Sequence, residues 1–411
     1  MFASTAFGQL RYIRETTPGV VPVTGTARNL RTTGPNMKAG VQSIVSDEIR
    51  PERMVISSTN VDLTVDGGFD IELSSREYDD FIAGVLCGVW RDYGTNGASA
   101  AISLTTTANT VVAGAATTGV DDFSNLRPGQ WFKLLPDASA SDAVKSYFAD
   151  KWLRVSETTA ATSTVITLDT ATPLDGVGIV GTAMNFKVLS SVASNGNERS
   201  SFSLEWEQTD VNQFVNYVGM RPNTLSLDFA VGAMLKGSLG FLGMRHGITQ
   251  VTVLPGGPSF TPSFGGEVMN SVTDMGILRV GGQNVLAGGT SFVQSIKLEI
   301  NNNLRGQKAL GVFGNANVGY GEFAVSGTME CYFENHVLYE KALAGEIIDL
   351  ALGIADVNGN GYLIDMPKIK FKDSALNLGS KDSDVMVSLP FQAFYDLSKG
   401  RGISITRASA L

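Results

Sequence analysis

The fold is decided by the stretch VDGGFDIE at residues 65–72 and by the stretch YDDFIAG at residues 78–84 that follows it. The first alternates apolar residues with polar or small ones, which predicts a half-buried β-strand. The second begins with acidic residues and continues with apolar ones at helical spacing, which predicts an amphipathic α-helix. The same order recurs in VSGTMECY at 325–332 and YEKALAG at 339–345, about 260 residues further on. We therefore interpret the chain as an internal duplication.

Strand patterns dominate the rest of the chain. Alternating apolar residues recur at 61–65, 69–73, 201–206, 225–229, 296–300, 369–371 and 403–405, between turns rich in Gly, Asn and Pro. Such a series is typical of antiparallel sandwiches. Helices are predicted at the two repeated segments, which begin near Ser74 and Asn335, and a short one is predicted between Asp210 and Val218.

The middle of the chain has a different composition, which indicates an insertion. It is rich in Ala, Thr, Ser and Gly and has short strand patterns of its own, such as residues 129–134 and 184–188. We therefore predict a mainly β protein with two tandem β-sandwich domains, each with a flanking α-helix, plus an inserted small β domain. The predicted boundaries are 1–95 with 196–245 for a discontinuous first domain, 96–195 for the insert, and 246–411 for the second domain. The two ends of such an insert are expected to lie close together.

Composition and charge exclude several classes of function. The chain has 411 residues, of which 17% are charged, below the usual quarter, and a net charge of −9. A low surface charge is frequent in chains that bury surface in an oligomer, and an acidic chain lacks the counterion release that drives DNA binding. No apolar signal-peptide core occurs in residues 1–19 and no run of 18 apolar residues occurs anywhere. We therefore expect cytoplasmic synthesis and no membrane span.

Residues suited to catalysis or metal binding are few. The only histidines are His246 and His336, and the only cysteines are Cys87 and Cys331. No Gly-x-Ser-x-Gly elbow accompanies either histidine, and zinc needs three or four nitrogen or sulfur ligands. The sequence therefore predicts a protein that is not an enzyme and has no cofactor or metal.

Two acidic motifs have structural interpretations. DVNGNG at 356–361 matches the first half of a calcium loop, but the twelfth position, which should be a bidentate acid, is Pro367. Since Asn-Gly is a strong hairpin signal, we interpret the motif as a turn. Asp79 and Asp80 fall in the first turn of a predicted helix, where acids favour the dipole. Nothing in the sequence marks either acid as buried.

Residues 31–59 form a long segment that is poor in core residues. It contains the mixed-charge patch EIRPER at 48–53. A long arm of this kind usually grips a neighbouring molecule, although each exposed ion pair would contribute only about 0–1 kcal/mol. The hypothesised contacts between subunits or rings are Glu48, Arg50, Glu52, Arg53 and Arg31.

Nine short motifs follow one another along the chain in a characteristic order. They are RETTPG at 14–19, LRTTG at 30–34, SDEIRPER at 46–53, GFDIEL at 68–73, YDDF at 78–81, YVGM at 217–220, NNNL at 301–304, VSGT at 325–328 and PKI at 367–369. In this order the chain resembles the tail tube proteins, or major tail proteins, of bacteriophages with long non-contractile tails (siphoviruses). The resemblance covers most of the chain outside residues 95–195.

The resemblance implies a fold, a function and a set of partners. The implied fold is a β-sandwich whose sheets line a ring, with a flanking helix and a long loop that reaches the next ring. Such rings stack into a helical polymer around a tape-measure protein, and the emptied tube conducts the genome into the host. The implied partners are other copies of the chain, the tape-measure protein, the tail terminator and the distal tail proteins. DNA would pass without specific binding through an acidic lumen, and the protein would be located in the virion tail after assembly in the host cytoplasm.

The number of tube domains per chain decides the ring stoichiometry. Two domains per chain predict a homotrimer ring with pseudo-sixfold symmetry, with the insert on the tube exterior, whereas one domain per chain predicts a hexamer. Two other hypotheses are a different β-rich virion protein, such as a decoration or fibre subunit, and a carbohydrate-active enzyme. A decoration or fibre subunit would not need the duplicated unit or the long arm, and a carbohydrate-active enzyme would need paired acids in a cleft.

Overall fold

A computed structural model describes most of the chain. The described residues are 2–52, 54–93, 100–105, 109–113, 126–136, 140–149, 151–159, 161–162, 164–169, Leu174, 184–188, 190–286, 292–334, 336–356, 358–378, Lys381 and 383–408. Within them the protein is mainly β.

Three α-helices and 28 strands are present in the described residues. The helices are α1 (Asp79–Val85), α2 (Asp142–Ala149) and α3 (Val337–Ala344). The strands are β1 (Gly8–Arg14), β2 (Arg28–Leu30), β3 (Gly34–Pro35), β4 (Lys38–Val45), β5 (Ser58–Glu72), β6 (Arg91–Tyr93), β7 (Ala100–Thr105), β8 (Thr110–Ala113), β9 (Trp131–Pro136), β10 (Trp152–Arg154), β11 (Val165–Thr167), β12 (Met184–Val188), β13 (Ser190–Ser194), β14 (Phe202–Gln208), β15 (Gln213–Ala230), β16 (Lys236–Leu242), β17 (Arg245–Thr249), β18 (Met275–Val280), β19 (Gln283–Asn284), β20 (Val293–Asn301), β21 (Arg305–Gln307), β22 (Asn317–Gly319), β23 (Ala324–Tyr332), β24 (Ile347–Ala355), β25 (Gly361–Phe371), β26 (Ala375–Asn377), β27 (Met386–Ala393) and β28 (Ser404–Ala408).

Strand pairing follows the same pattern twice. In the N-terminal set, β1, β14, β15, β16 and β5 pair in that order, and β17 pairs with the first half of β15. In the C-terminal set, β18, β24, β25, β27 and β23 pair in that order, and β28 pairs with the first half of β25. All these pairs are antiparallel, and α1 and α3 follow the matching strands β5 and β23. The pairing supports the duplication inferred from the sequence.

One strand joins the two sets. β20 pairs with β23 on one side and with the second half of β15 on the other, from Thr224↔Asn301 to Ala230↔Ser295. The result is a continuous sheet in the order β5–β16–β15–β20–β23–β27–β25. A single hydrophobic core cluster extends through both sets.

Helix α1 is held in the core by aromatic packing. The Phe81 ring lies 5.5 Å from Phe69 and Phe241, 4.9 Å from Phe202 and 4.7 Å from Tyr12, centroid to centroid. Contacts of this kind add about 0.5–1.5 kcal/mol each beyond area burial. Just before the helix, a Cβ on Gly68 would lie 1.7 Å from the Leu239 carbonyl oxygen, so the VDGGFDIE motif needs glycine for strand packing.

The insert has its own sheet and core. Its six strands have the order β10–β9–β12–β7–β8–β11, and α2 packs beside them. Helix α2 was not predicted from the sequence. The strand β13, which was predicted to lie in the insert, pairs with β6 and β28 of the large sheet. The strand β17, most of which was predicted to lie in the second domain, pairs with β15 of the N-terminal set. The division into domains stays a prediction, with boundaries that this pairing moves to about residue 189 and after Thr249.

Most predicted elements are present, and one is wrong. The strand patterns named above lie in β5, β14, β15, β20, β25 and β28, and both repeated helices are found. The helix predicted between Asp210 and Val218 does not form, because residues 213–218 are the start of β15. This segment pairs with β14 on one side and β17 on the other, and tertiary pairing overrides a weak local preference.

Candidate assembly surfaces

The continuous sheet has an outer edge at each end. At the N-terminal end, β3 and β4 pair with β5 and form the outermost strip. At the C-terminal end, residues 371–377 run beside β27 and form the outermost strip. Unpaired backbone groups on such edges are a template for pairing with another chain.

The two edges differ in charge on the open face of the sheet. Asp70 and Glu72 lie at the N-terminal end, and the cross-strand rows that start from them lead to Lys370 and Lys372 at the other end. Each edge also has a residue of the opposite charge. Lys38 lies next to Asp66 at the N-terminal edge, and Asp373 follows Lys372 at the C-terminal edge. Between the edges the open face alternates in charge, since Asp228 pairs with both Lys236 and Lys297. The open face is therefore of mixed charge.

Two arms project from one end of the sheet. The first is the β4–β5 hairpin, whose tip exposes apolar side chains, namely Ile44, Val45, Ile49, Met54, Val55 and Ile56. The second connects β20 to β23 through the β21–β22 hairpin and exposes Leu310, Val312 and Phe313. The Lys308 ammonium donates to Asp62 at 2.7 Å and joins the second arm to the base of the first. This bond holds the pKa of Asp62 below its usual value.

The opposite end of the sheet has an apolar surface of its own. β5 runs from the arm tip at Ser58 to Glu72, which faces Lys236 next to the β15–β16 turn. Around this end the exposed apolar side chains are Val231, Met234, Val272, Phe292, Tyr332 and Phe333. Each end of the molecule therefore leaves apolar side chains in water, and such patches mark interaction sites.

A buried polar cluster joins α1 to the C-terminal set. The Tyr362 hydroxyl donates to an Asp79 carboxylate oxygen at 2.5 Å and accepts from the Arg76 amide at 2.8 Å. The Arg407 guanidinium also donates to Asp79. Burial raises the pKa of Asp79, and the nearby Arg407 cation opposes this effect. No local pattern predicts this burial, but the Asp79 side chain is almost completely enclosed.

The insert is fixed to the C-terminal set, although it leaves the chain from the N-terminal set. Trp131 and Trp152 of the insert form a buried cluster with Ala351 and Leu363. The Trp131 indole donates to Asp365 at 3.3 Å.

Two buried or partly buried ion pairs extend this contact. Arg401 donates to Asp365 at 3.0 Å and to the Gly129 carbonyl of the insert at 3.2 Å. Lys399 donates to Glu157 at 2.7 Å. Burial would raise the pKa of Glu157, but Lys399 and Arg154 hold it below its usual value.

The structure separates the five hypothesised contact residues. Glu48, Arg50 and Glu52 lie exposed in the tip of the first arm, where Arg50 donates to Glu48 at 2.6 and 2.9 Å. Arg53 lies outside the described residues. Arg31 lies away from the tip, with its guanidinium bonded to Ser74 at 2.5 Å and to the Gly266 carbonyl at 2.9 Å. Because these bonds use Arg31 inside the chain, we leave it out of the proposed contacts. The apolar tip residues between the charges were missed, although IRPERMVI at 49–56 shows them.

The remaining motifs have structural roles. The Asp356 carboxylate accepts the amides of Asn358 and Asn360, each at 2.9 Å, which is the geometry of a turn. His336 occupies the N-cap position of α3 without a side-chain capping hydrogen bond, and His246 lies in β17 against Tyr217. Among the described residues, no group of three or more His, Cys, Asp or Glu side chains is placed to hold a metal ion. No helix in the described part of the chain is long and apolar enough to cross a membrane.

Open sheet edges, two projecting arms and apolar surfaces at both ends define a structural subunit that works by assembly. Sequence comparison identifies which one. The family model described as "Phage tail tube protein" matches residues 6–393, nearly the whole chain, so the chain belongs to the phage tail tube protein family. It is a structural component of the virion tail, and the decoration or fibre alternative is not favoured. A search of curated proteins finds no match.

Proposed function

We propose that three copies of this chain close into a ring with pseudo-sixfold symmetry, and that the rings stack head to tail into the tube of a long non-contractile tail. The tube would assemble in the host cytoplasm around a tape-measure protein, between the distal tail proteins and the tail terminator. It would then conduct the genome during ejection. The protein acts without catalysis in this proposal.

The β15–β20 junction is the observation that carries the trimer. Inside the chain, the edge of the N-terminal set at β15 pairs with β20, the first strand of the next set. The matching edge of the C-terminal set is residues 371–377, and the strip that matches β20 is β3–β4. A chain whose β3–β4 strip pairs with residues 371–377 of its neighbour repeats the internal junction, and three chains give six sets. A ring of six such chains would contain twelve sets instead of six, so it would not have pseudo-sixfold symmetry.

Strand register defines the residues that would meet in the external junction. Ser226 faces Glu299 inside the chain, and the matching positions are Ala375 on the C-terminal edge and Lys38 on the β3–β4 strip. The contact is heterologous, so repetition closes a ring and does not stop at a twofold dimer.

The arms support stacking of the rings. Both arms leave the same end of the sheet, and the apolar surface around the β15–β16 turn lies at the opposite end. Head-to-tail stacking would therefore bring the apolar arm tips of one ring against the β15–β16 turns of the next. Glu48, Arg50 and Glu52 would surround that contact, with Arg53 beside them in the sequence. We place the open face of the sheet toward the lumen and the insert on the exterior. A lumen of mixed charge, with no concentrated basic patch, would let DNA pass without specific binding.

Light scattering combined with negative-stain microscopy tests the proposal. We expect the purified chain to reach the mass of three chains as its concentration rises and then to form hollow striated tubes. In the variant Lys38→Cys/Ala375→Cys the two thiols lie on strands that face each other across the proposed junction, and a short thiol-to-thiol crosslinker should join separate chains into closed trimers. The control Lys38→Cys/Val231→Cys has its second thiol at the opposite end of the sheet and should give no closed trimers. A ring of six chains, or equal crosslinking in both variants, would contradict the trimer junction.

A further inference from the structure

The two helices α1 and α3 occupy matching places but differ in burial. YDDFIAG at 78–84 aligns with YEKALAG at 339–345, so Asp79 corresponds to Glu340 and Ile82 to Leu343. Ile82 is 2% exposed and Leu343 is 67% exposed. Glu340 is exposed where Asp79 is buried, and Ile347, just after α3, is exposed as well. An apolar helix face left in water calls for a covering surface.

The cover on α1 comes from the C-terminal set. Tyr362 and Arg407 are cross-strand neighbours on β25 and β28, and both donate to Asp79. Asn302, at the end of β20, donates to the Val85 carbonyl at the other end of the helix at 2.8 Å. One side of α1 therefore packs in the core of the N-terminal set, and Asp79 and the Val85 carbonyl are covered at the junction between the two sets.

The N-terminal set has an uncovered surface that matches this cover. β15 and β17 correspond to β25 and β28. When the β-bulges of β15 and β25 are aligned, the cross-strand pair Val215↔Ile248 has the place of Ile364↔Ile405, two residues from Tyr362↔Arg407 on the same face. Val215 packs against the core, whereas Ile248 is 63% exposed. No element in the described part of the chain covers Ile248 as α1 covers Arg407.

We propose that α3 docks on β17 of a second copy of this chain, with Leu343 and Glu340 placed against Ile248. This inference rests on the proposed ring, because it assigns the helix side of the same chain-to-chain junction. The proposed contact between Leu343 and Ile248 is apolar, whereas the matching contact inside the chain is the ion pair between Asp79 and Arg407. The contact removes the apolar surfaces of Leu343 and Ile248 from water, and it repeats three times around a ring.

A crosslinking experiment tests the contact directly. In the variant Glu340→Cys/Ile248→Cys, a short thiol-to-thiol crosslinker should join separate chains into dimers and closed trimers at assembling concentrations. The native cysteines should not interfere, because burial raises the pKa of Cys87 to about 11 and of Cys331 to about 12. In the control Glu340→Cys/Val231→Cys the second thiol lies in the β15–β16 turn, and this variant should give no closed trimers.

The concentration at which the variant Leu343→Glu forms trimers provides a second test. We expect this variant to stay monomeric at tenfold the concentration at which the wild type forms trimers, whereas Val231→Glu should still form trimers. Wild-type trimers with equal crosslinking in both cysteine variants, or trimers of Leu343→Glu at the wild-type concentration, would overturn the α3 contact and leave the ring intact. A wild type that forms no trimers at any concentration would overturn both proposals.

Discussion

Asp79 shows how one side chain can hold two units of a chain together. Its carboxylate accepts from Tyr362, which is 283 residues away, and from Arg407, which is 328 residues away. Sequence reasoning placed Asp79 in the first turn of a helix, which is correct, but a local pattern cannot show partners at that distance. The same limit applies to Asp365 and Arg401, whose buried pair joins two distant segments.

Replacing Asp79 with Ala should destabilise the chain strongly. The change removes the shared acceptor of a buried cation and a buried hydroxyl, which costs about 3–5 kcal/mol when one partner of a buried pair is lost. Denaturant unfolding of the monomer at neutral pH measures the effect. Glu340→Ala is the matched control, because it truncates the corresponding exposed acid on α3 and should cost less than about 0.5 kcal/mol. Similar losses in both variants would contradict the role given to Asp79.

At the scale of elements, periodicity predicted the strands well because alternation reports which side chains reach the core. In β20, for example, Ile296, Leu298 and Ile300 are buried while Lys297 and Glu299 are exposed. The helix predicted near Asp210 failed because pairing on both sides decided the conformation of residues 213–218. The long segment poor in core residues was predicted as an arm, and its residues 38–45 pair with the first half of β5 to form the projecting hairpin.

The apolar tip of the first arm should be needed for stacking but not for ring formation. In the variant Ile49→Ser/Val55→Ser/Ile56→Ser we expect trimers without tubes. Three apolar side chains, each contributing about 1.5–3 kcal/mol when buried, would no longer be buried between rings. Negative-stain microscopy at fixed trimer concentration measures tube length. The control Phe2→Ser/Leu397→Ser changes exposed apolar residues outside the two arms and should still form tubes. Normal tubes from the arm variant would show that stacking uses another surface.

At the scale of the whole molecule, the repeated order of strand, cap and helix could be predicted from spacing alone. The position of the insert could not. Composition marked residues 96–195 as a separate unit, but docking depends on Trp131, Leu363 and Asp365, which come together only in the folded chain. By resting on the C-terminal set, the insert also braces the two sets against each other, since both of its connections lead to the N-terminal set.

This bracing predicts how the chain unfolds. Because the insert shares a buried cluster and a buried ion pair with the C-terminal set, we expect insert and sandwich to unfold in one cooperative transition. Trp131→Ala should remove about 3–5 kcal/mol from the contact and split unfolding into two transitions, with the insert first. Hydrogen exchange read separately for residues 131–154 and 347–371 measures this. Lys145→Ala, on the exposed face of α2, should leave a single transition. Two transitions in the wild type would show that the insert is only tethered and does not brace the two sets.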